Sequence, residues 1–364
     1  MCAKPELFTP GPVKMPDTVY EAMDSPQIGH RSPNFENLYE TLQFQIAKLY
    51  HADGKSFPVL ITGSGTAANE AVLSLLSDVT PLVIQNGEFG ERLSNILDAY
   101  NRDHYVLEFP WGQYPDLRVV RSTLESNPDI DMVAMVYHET STSMINPVKV
   151  IGNIASNFNC LFFVDTVSAI GAEKVDLASY NIDIATGVAN KALAGPTGIS
   201  FVCMDNSIID ELNFDPQTSY LDLEEHIEYA TERSQTPHTP AIRSIRGLKA
   251  ALDAFFEEGE DTRLARYNRN STLIREWAES DSRVELYLPP DQSSNALTSI
   301  LLPSDIDVGD FIEELESLGY LAYPGKKELY EEGVVQLATM GEIYEEDTKR
   351  LVETLDTCLD TVVG

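Results

Sequence analysis

Two residues stand out for the chemistry they could carry, an aspartate at 165 and a lysine at 191. The apolar run Leu161-Phe162-Phe163-Val164 ends in Asp165, the pattern of a buried parallel strand delivering a carboxylate at its C-terminal edge. Open α/β sheets bind their ligands at that edge. A second expected strand, Ile182–Thr186, leads through Gly187 into Val188-Ala189-Asn190-Lys191-Ala192-Leu193. Among such small and apolar neighbours an amine is partly desolvated, so its pKa falls and its neutral, nucleophilic form becomes accessible near pH 7. A lysine able to form a Schiff base and an acid able to pair with a pyridinium nitrogen are what pyridoxal phosphate needs. Taken alone, the two residues read more readily as a structural ion pair.

Other stretches supply what such a cofactor would need around it. Thr62-Gly63-Ser64-Gly65-Thr66-Ala67 ends one apolar strand and opens a helix, where unpaired N–H groups, the positive dipole end and two hydroxyls make a phosphate site. It lacks the downstream lysine of a nucleotide-binding loop and the further glycine of a dinucleotide fingerprint, and an ordinary strand-to-helix turn has the same composition. Asn86-Gly87-Glu88-Phe89-Gly90-Glu91-Arg92 places an aromatic ring at the same edge, and His138-Glu139-Thr140-Ser141-Thr142 adds polar side chains after a further strand. Phe89 suits either a stacking partner for a flat ring or a core residue. Arg31, in the loop Gly29-His30-Arg31-Ser32-Pro33, is either an anion contact at a site mouth or an exposed side chain.

The elements that must position these residues alternate in type. Strands are expected at Phe57–Thr62, Pro81–Gln85, Tyr105–Phe109, Met132–Tyr137, Leu161–Asp165, Ile182–Thr186 and Ile199–Met204, with helices such as Ala67–Leu76 and Phe89–Tyr100 between most of them. That alternation predicts an α/β fold with a mainly parallel seven-stranded sheet and right-handed crossovers. The prolines of Leu7-Phe8-Thr9-Pro10-Gly11-Pro12-Val13 predict an extended arm over 1–14. Acidic, turn-rich sequence from Asp205 to Gln235 precedes long helices at Ala241–Glu258 and Asp261–Glu279. Residues 15–255 are expected to form a large domain and 256–364 a smaller α+β domain with strands near Val284–Leu288, Leu297–Leu302 and Val334–Leu337.

Composition narrows the partners. The 364 residues carry a formal charge of −33, which argues against nucleic acid, since that binding draws its affinity from Lys and Arg. The surplus of acid suits a salt-rich medium, where like-charge repulsion is screened, as well as an ordinary cell. No apolar run approaches the roughly 20 residues of a membrane span, and Met1-Cys2-Ala3-Lys4-Pro5 lacks signal-peptide character, so a cytoplasmic location without membrane contact is expected. Cys2, Cys160, Cys203 and Cys358 are scattered and read as reduced thiols, with no metal site.

In order along the chain, Thr9-Pro10-Gly11-Pro12, Gly63-Ser64-Gly65-Thr66, Asn86 to Arg92, His138 to Thr142, Val164-Asp165-Thr166-Val167-Ser168, Asn190-Lys191 and Thr236-Pro237 resemble the class V aminotransferases of fold-type I, which are pyridoxal phosphate enzymes. Met135 to Thr140, Tyr323-Pro324-Gly325-Lys326 and Met340 to Tyr344 are most similar to the 2-aminoethylphosphonate:pyruvate transaminases. The resemblance implies Lys191 as Schiff-base lysine and proton carrier, Asp165 as pyridinium partner and Phe89 as stacking ring where relatives carry Tyr or Trp. It also implies that Ser64, Gly65 and Thr66 hold the phosphate, with Thr142 and Ser168 beside the cofactor. Thr236 and Thr239 would reach the cofactor of a neighbouring subunit in a homodimer with shared active sites. The implied reaction moves an amino group from a small amine or amino acid, such as 2-aminoethylphosphonate, alanine or serine, to a 2-oxo acid such as pyruvate or glyoxylate.

One departure bears on the substrate. Where the family carries an arginine that forks onto the substrate's carboxylate or phosphonate, the chain reads Val335-Gln336-Leu337. Gln336 and Arg31 are thus candidate substrate-binding residues, and Arg31, Arg243, Arg246 or Lys326 could supply the missing charge. Two other readings stand beside transamination: lyase or elimination chemistry with the same cofactor, and a noncatalytic protein that keeps the fold.

Overall fold

The computed structural model describes residues 5–75, 78–209, 215 and 217–363. Seven strands form the central sheet: β1 (Ser56–Ile61), β2 (Pro81–Gln85), β3 (Tyr105–Glu108), β4 (Met132–Val136), β5 (Leu161–Asp165), β6 (Ile184–Val188) and β7 (Ser200–Asp205). Their order is β1-β7-β6-β5-β4-β2-β3. β7 runs antiparallel to both neighbours and the remaining pairs are parallel. The loops after β1, β2, β4, β5 and β6 therefore open at one edge.

Near-continuous apolar strands follow from burial on both faces. Leu82, Val133 and Phe162 enter one hydrophobic cluster, whereas their chain neighbours Val83, Ala134 and Phe163 enter the cluster on the opposite face, as the two-residue period of a strand requires.

The expected seven strands are all present, with shifted ends. β6 starts two residues later than expected; before it, Asp183 joins β5 through its side chain, its Oδ2 accepting from the N–H of Phe162 at 2.7 Å. The expected helix Ala67–Leu76 is found as Gly65–Leu73, and Leu76 lies outside the described residues. The acidic stretch after Met204 holds a helix, Leu223–Arg233, that its turn-rich composition hid. Asp222 caps it by accepting from the N–H of Glu225, and Leu223, His226, Ile227 and Ala230 form its buried stripe.

Toward the C-terminus lies an antiparallel sheet of β8 (Glu285–Leu286), β9 (Leu297–Leu301), β10 (Tyr323–Pro324) and β11 (Val334–Ala338), in the order β8-β9-β11-β10. The chain's N-terminal segment is fastened to this layer. Glu6–Leu7 pairs in parallel with Tyr320–Leu321, Phe8 is fully buried against the core there, and its carbonyl accepts from the N–H of Ala338 at 2.9 Å.

Among the described residues no helix is long and apolar enough to cross a membrane, and no group of three or more His, Cys, Asp and Glu side chains could hold a metal ion. Cys160, Cys203 and Cys358 are buried free thiols; Cys2 lies outside the described residues.

Candidate active site

Asp165, the last residue of β5, is 5% exposed. Its Oδ1 accepts from the N–H of Val167 at 2.8 Å and its Oδ2 from Nδ2 of Asn69 at 2.6 Å. Asn69 lies on the helix Gly65–Leu73, four residues after Gly65 and so on the same face, and its Oδ1 accepts from the Thr186 hydroxyl at 2.5 Å. Burial raises the Asp165 pKa, while the two hydrogen bonds and the charges of Lys191 and Arg92 work in the opposite direction. A carboxylate with about four acceptor positions keeps room for a further donor from the cleft.

Lys191 sits three residues past β6, and its Nζ donates to the carbonyl of Pro10 in the N-terminal segment at 3.0 Å. Burial is the main cause that lowers its pKa to about 8, with Asp165 and Glu139 opposing and Lys326 and Arg92 reinforcing. That shift brings the neutral amine, the form that attacks an aldehyde, closer to neutral pH.

The rest of the cleft wall comes from neighbouring loops. Ser64 precedes the helix Gly65–Leu73 without spending its hydroxyl on a cap, and the first-turn N–H groups have no intrahelical acceptors. Gly65 has no space for a side chain, since a Cβ would stand 2.6 Å from Cγ2 of Val167. Phe89 is positioned by Glu139: the buried Glu139 carboxylate accepts from the N–H groups of Phe89 at 3.1 Å, Gly90 at 3.0 Å and Ser141 at 3.2 Å, and from the Ser141 hydroxyl. Gly87 is required beneath it, because a Cβ there would meet Cγ of Glu139 at 2.3 Å.

His138 is also buried at the cleft. Its Nδ1 lies 3.2 Å from the carbonyl of Ser168, which can only accept, so Nδ1 carries the proton. Nε2 is then a bare acceptor, and it has no partner among the described residues. Burial pushes the His138 pKa down to about 3, so the ring is neutral at working pH.

Ser64, Gly65, Thr66, Phe89, Asp165, Ser168 and Lys191 therefore share one cleft. A second hollow adjoins it through Phe89 and Lys191 and takes in Gln336, Lys326 and Thr140. Thr142 is fully buried behind the wall, its hydroxyl donating to the carbonyl of Glu139 at 3.3 Å. Thr236, Thr239 and Arg31 lie elsewhere. Thr236 is buried with its hydroxyl on the carbonyl of His238, whereas Thr239 is exposed. Arg31 donates to Oε1 of Gln235 and to the carbonyls of Thr236 and Pro237, each at 2.7 Å, so it holds the Thr236 loop and does not line the cleft.

Sequence reasoning did not single out Asn69, His138, Glu139 or Arg92. Glu139 and His138 were visible only as polar residues after a strand. Asn69 left a faint mark, a polar residue on the helix face turned toward the sheet.

These groups fit pyridoxal phosphate on their own chemistry: a depressed amine, a buried carboxylate with spare acceptor capacity, an unpartnered buried imidazole nitrogen and a helix N-terminus with a free hydroxyl. The architecture that carries them is the α/β sheet of fold-type I transferases. The solved alanine–glyoxylate aminotransferase of Nostoc sp. superposes with a TM-score of 0.92 at 25% identity, covering 99% of this chain and 96% of that one. The aminotransferase class-V family model matches residues 13–319, and the chain belongs to that family. An uncharacterised aminotransferase of Methanocaldococcus jannaschii is 34% identical over 84% of this chain and 80% of its own length. The 2-aminoethylphosphonate–pyruvate transaminase of Syntrophobacter fumaroxidans is 31% identical over 95% and 94%. Enzymes of this family use pyridoxal phosphate.

Proposed function

We propose that this chain binds pyridoxal phosphate and transfers an amino group from a small amine or amino acid, of the kind represented by 2-aminoethylphosphonate, alanine and serine, to a 2-oxo acid such as pyruvate or glyoxylate. The observation that carries the proposal is that Lys191, with its pKa lowered to about 8, and the buried Asp165 line one cleft with the Gly65 helix terminus.

When bound, the cofactor supplies the aldehyde for Lys191 and a ring that delocalises the electron pair left on the substrate carbon. Asp165 would pair with the ring nitrogen and favour its protonated form. Ser64, Gly65 and Thr66 would hold the phosphate, Ser168 and Thr142 would line or brace the cofactor's surroundings, and Phe89 would stack on its ring. The Lys191 Nζ would be the base that moves a proton at the substrate carbon. Thr236 and Thr239 would serve the cofactor of a partner subunit in a homodimer. A large domain of 15–255, a smaller one of 256–364 and cytoplasmic residence belong to the same proposal.

The test begins with pyridoxal phosphate added to purified protein: a visible absorption band should appear with wild type and be lost in Lys191→Ala. That band should bleach on adding an amino donor and return on adding pyruvate or glyoxylate. Protein that takes up no cofactor under any condition would overturn the proposal. Gln336 motivates a second reading, elimination or lyase chemistry with the same cofactor. Ammonia or a cleavage product released with no 2-oxo acid present would favour it.

A further inference from the structure

We infer that this chain anchors the anionic group of its substrate through Lys326, a single point charge on the loop after β10, and offers an acceptor oxygen at position 336. The inference rests on the transaminase reading and names the recognition chemistry of the same site. Gln336 is 2% exposed, and its Nε2 donates to the carbonyls of Thr140 at 2.6 Å and Ser141 at 3.0 Å. Those oxygens can only accept, so the amide cannot flip without setting oxygen against oxygen. Both amide hydrogens are thus committed, and an anion has no donor to meet at Gln336.

Of the four cations that could supply the charge, three are placed elsewhere. Arg31 is spent on the side chain of Gln235 and two carbonyls, Arg246 donates to the carbonyl of Pro26, and Arg243 is exposed outside both hollows. Lys326 lines the hollow that holds Gln336 and Lys191. Its Nζ lies 4.7 Å from the centre of the Phe89 ring, against 5.8 Å for the Lys191 Nζ, so both amines attend the same ring. Glu88 is its counter-ion at 3.2 Å, but that carboxylate oxygen is also held by Arg92 at 2.8 Å. One carboxylate between two cations leaves positive charge uncompensated toward the hollow, and the Lys326 side chain is 41% exposed to it and to solvent. A small carboxylate or phosphonate meets a point charge here in place of a bidentate fork.

The test uses methylphosphonate and acetate, which carry the anion without the amine, titrated calorimetrically into protein with and without pyridoxal phosphate. Lys326→Met should weaken both by about tenfold or more, and Lys326→Arg should restore them. In the half-reaction, Lys326→Met should raise KM for 2-aminoethylphosphonate and alanine by a much larger factor than for an uncharged amine donor. Anion affinity unchanged in Lys326→Met would overturn the inference. So would Gln336→Ala weakening the anions as much as Lys326→Met does. Cofactor uptake, read separately by absorbance, distinguishes failure of this inference from failure of the transaminase reading.

Discussion

Nδ2 of Asn69 stands 2.6 Å from Oδ2 of Asp165 and is locked in that orientation by the Thr186 hydroxyl on its oxygen. The helix that opens at the phosphate cradle thereby also sets the carboxylate at the far end of the proposed cofactor. Removing the donor in Asn69→Ala takes away a bond that favours the ionised carboxylate. The Asp165 pKa should rise further, and the acid limb of kcat/KM against pH should move to higher pH. Asp165→Asn, isosteric but uncharged, turns its NH₂ against one of the two N–H donors the carboxylate satisfies, so it should lose roughly 1–3 kcal/mol of stability and on the order of 10²- to 10⁴-fold in turnover. Both are checked by pH-dependent steady-state kinetics.

Lys191 titrates with a folded pKa of about 8 against an ordinary 10.5. A depressed lysine means that the folded protein sheds its proton first, so its buried charge costs stability below about pH 8, and that cost is relieved as pH rises toward 10.5. Cofactor uptake should therefore quicken as pH rises through about 8. The thermal midpoint of cofactor-free Lys191→Met should exceed wild type at pH 7 by a margin that shrinks above pH 8. Because Lys326 is one of the charges lowering this pKa, Lys326→Met should move the uptake profile to higher pH.

Glu139 tests whether Phe89 is held from behind. In Glu139→Gln an amide NH₂ faces N–H groups that the carboxylate satisfies, which should cost roughly 1–3 kcal/mol of stability. Cofactor affinity should fall with it as the ring loses its seat. Thermal unfolding and a pyridoxal phosphate titration measure the two effects.

Glu173, in the segment after β5, is tied to the segment that leads into β9. Its carboxylate accepts from the N–H and Nδ2 of Asn295, both at 2.7 Å, and from the Ser294 hydroxyl at 3.2 Å, and burial lifts its pKa to about 7. An acid raised on folding binds its proton more tightly in the native state, so its contribution is full below about pH 4.5 and is lost as pH climbs through 7. Relative to Glu173→Gln, wild type should lose thermal stability between about pH 5 and pH 7.5. Parallel midpoint curves for the two proteins would refute this.

The strands, their mainly parallel sheet and the two principal residues were legible because fully buried strands announce themselves as apolar runs, and Asp165 ends one of them while Lys191 comes three residues after another. Less visible was everything that depends on a pairing distant in sequence. Glu139 reaches Phe89 across 50 residues and Asn69 reaches Asp165 across 96, and no local pattern encodes either contact. The substitution at 336 was readable as a loss of charge. That its amide is turned toward the 140–141 carbonyls emerged only from the packing of β11 against that loop.

The N-terminal strand works as a tether with two attachment points. Residues 6–8 are stitched to the C-terminal layer, and two residues later the Pro10 carbonyl rests on the Lys191 amine. A rigid displacement of that layer would drag the carbonyl along, so the lysine's hydrogen-bond partner is geared to the posture of the layer that carries Lys326 and Gln336.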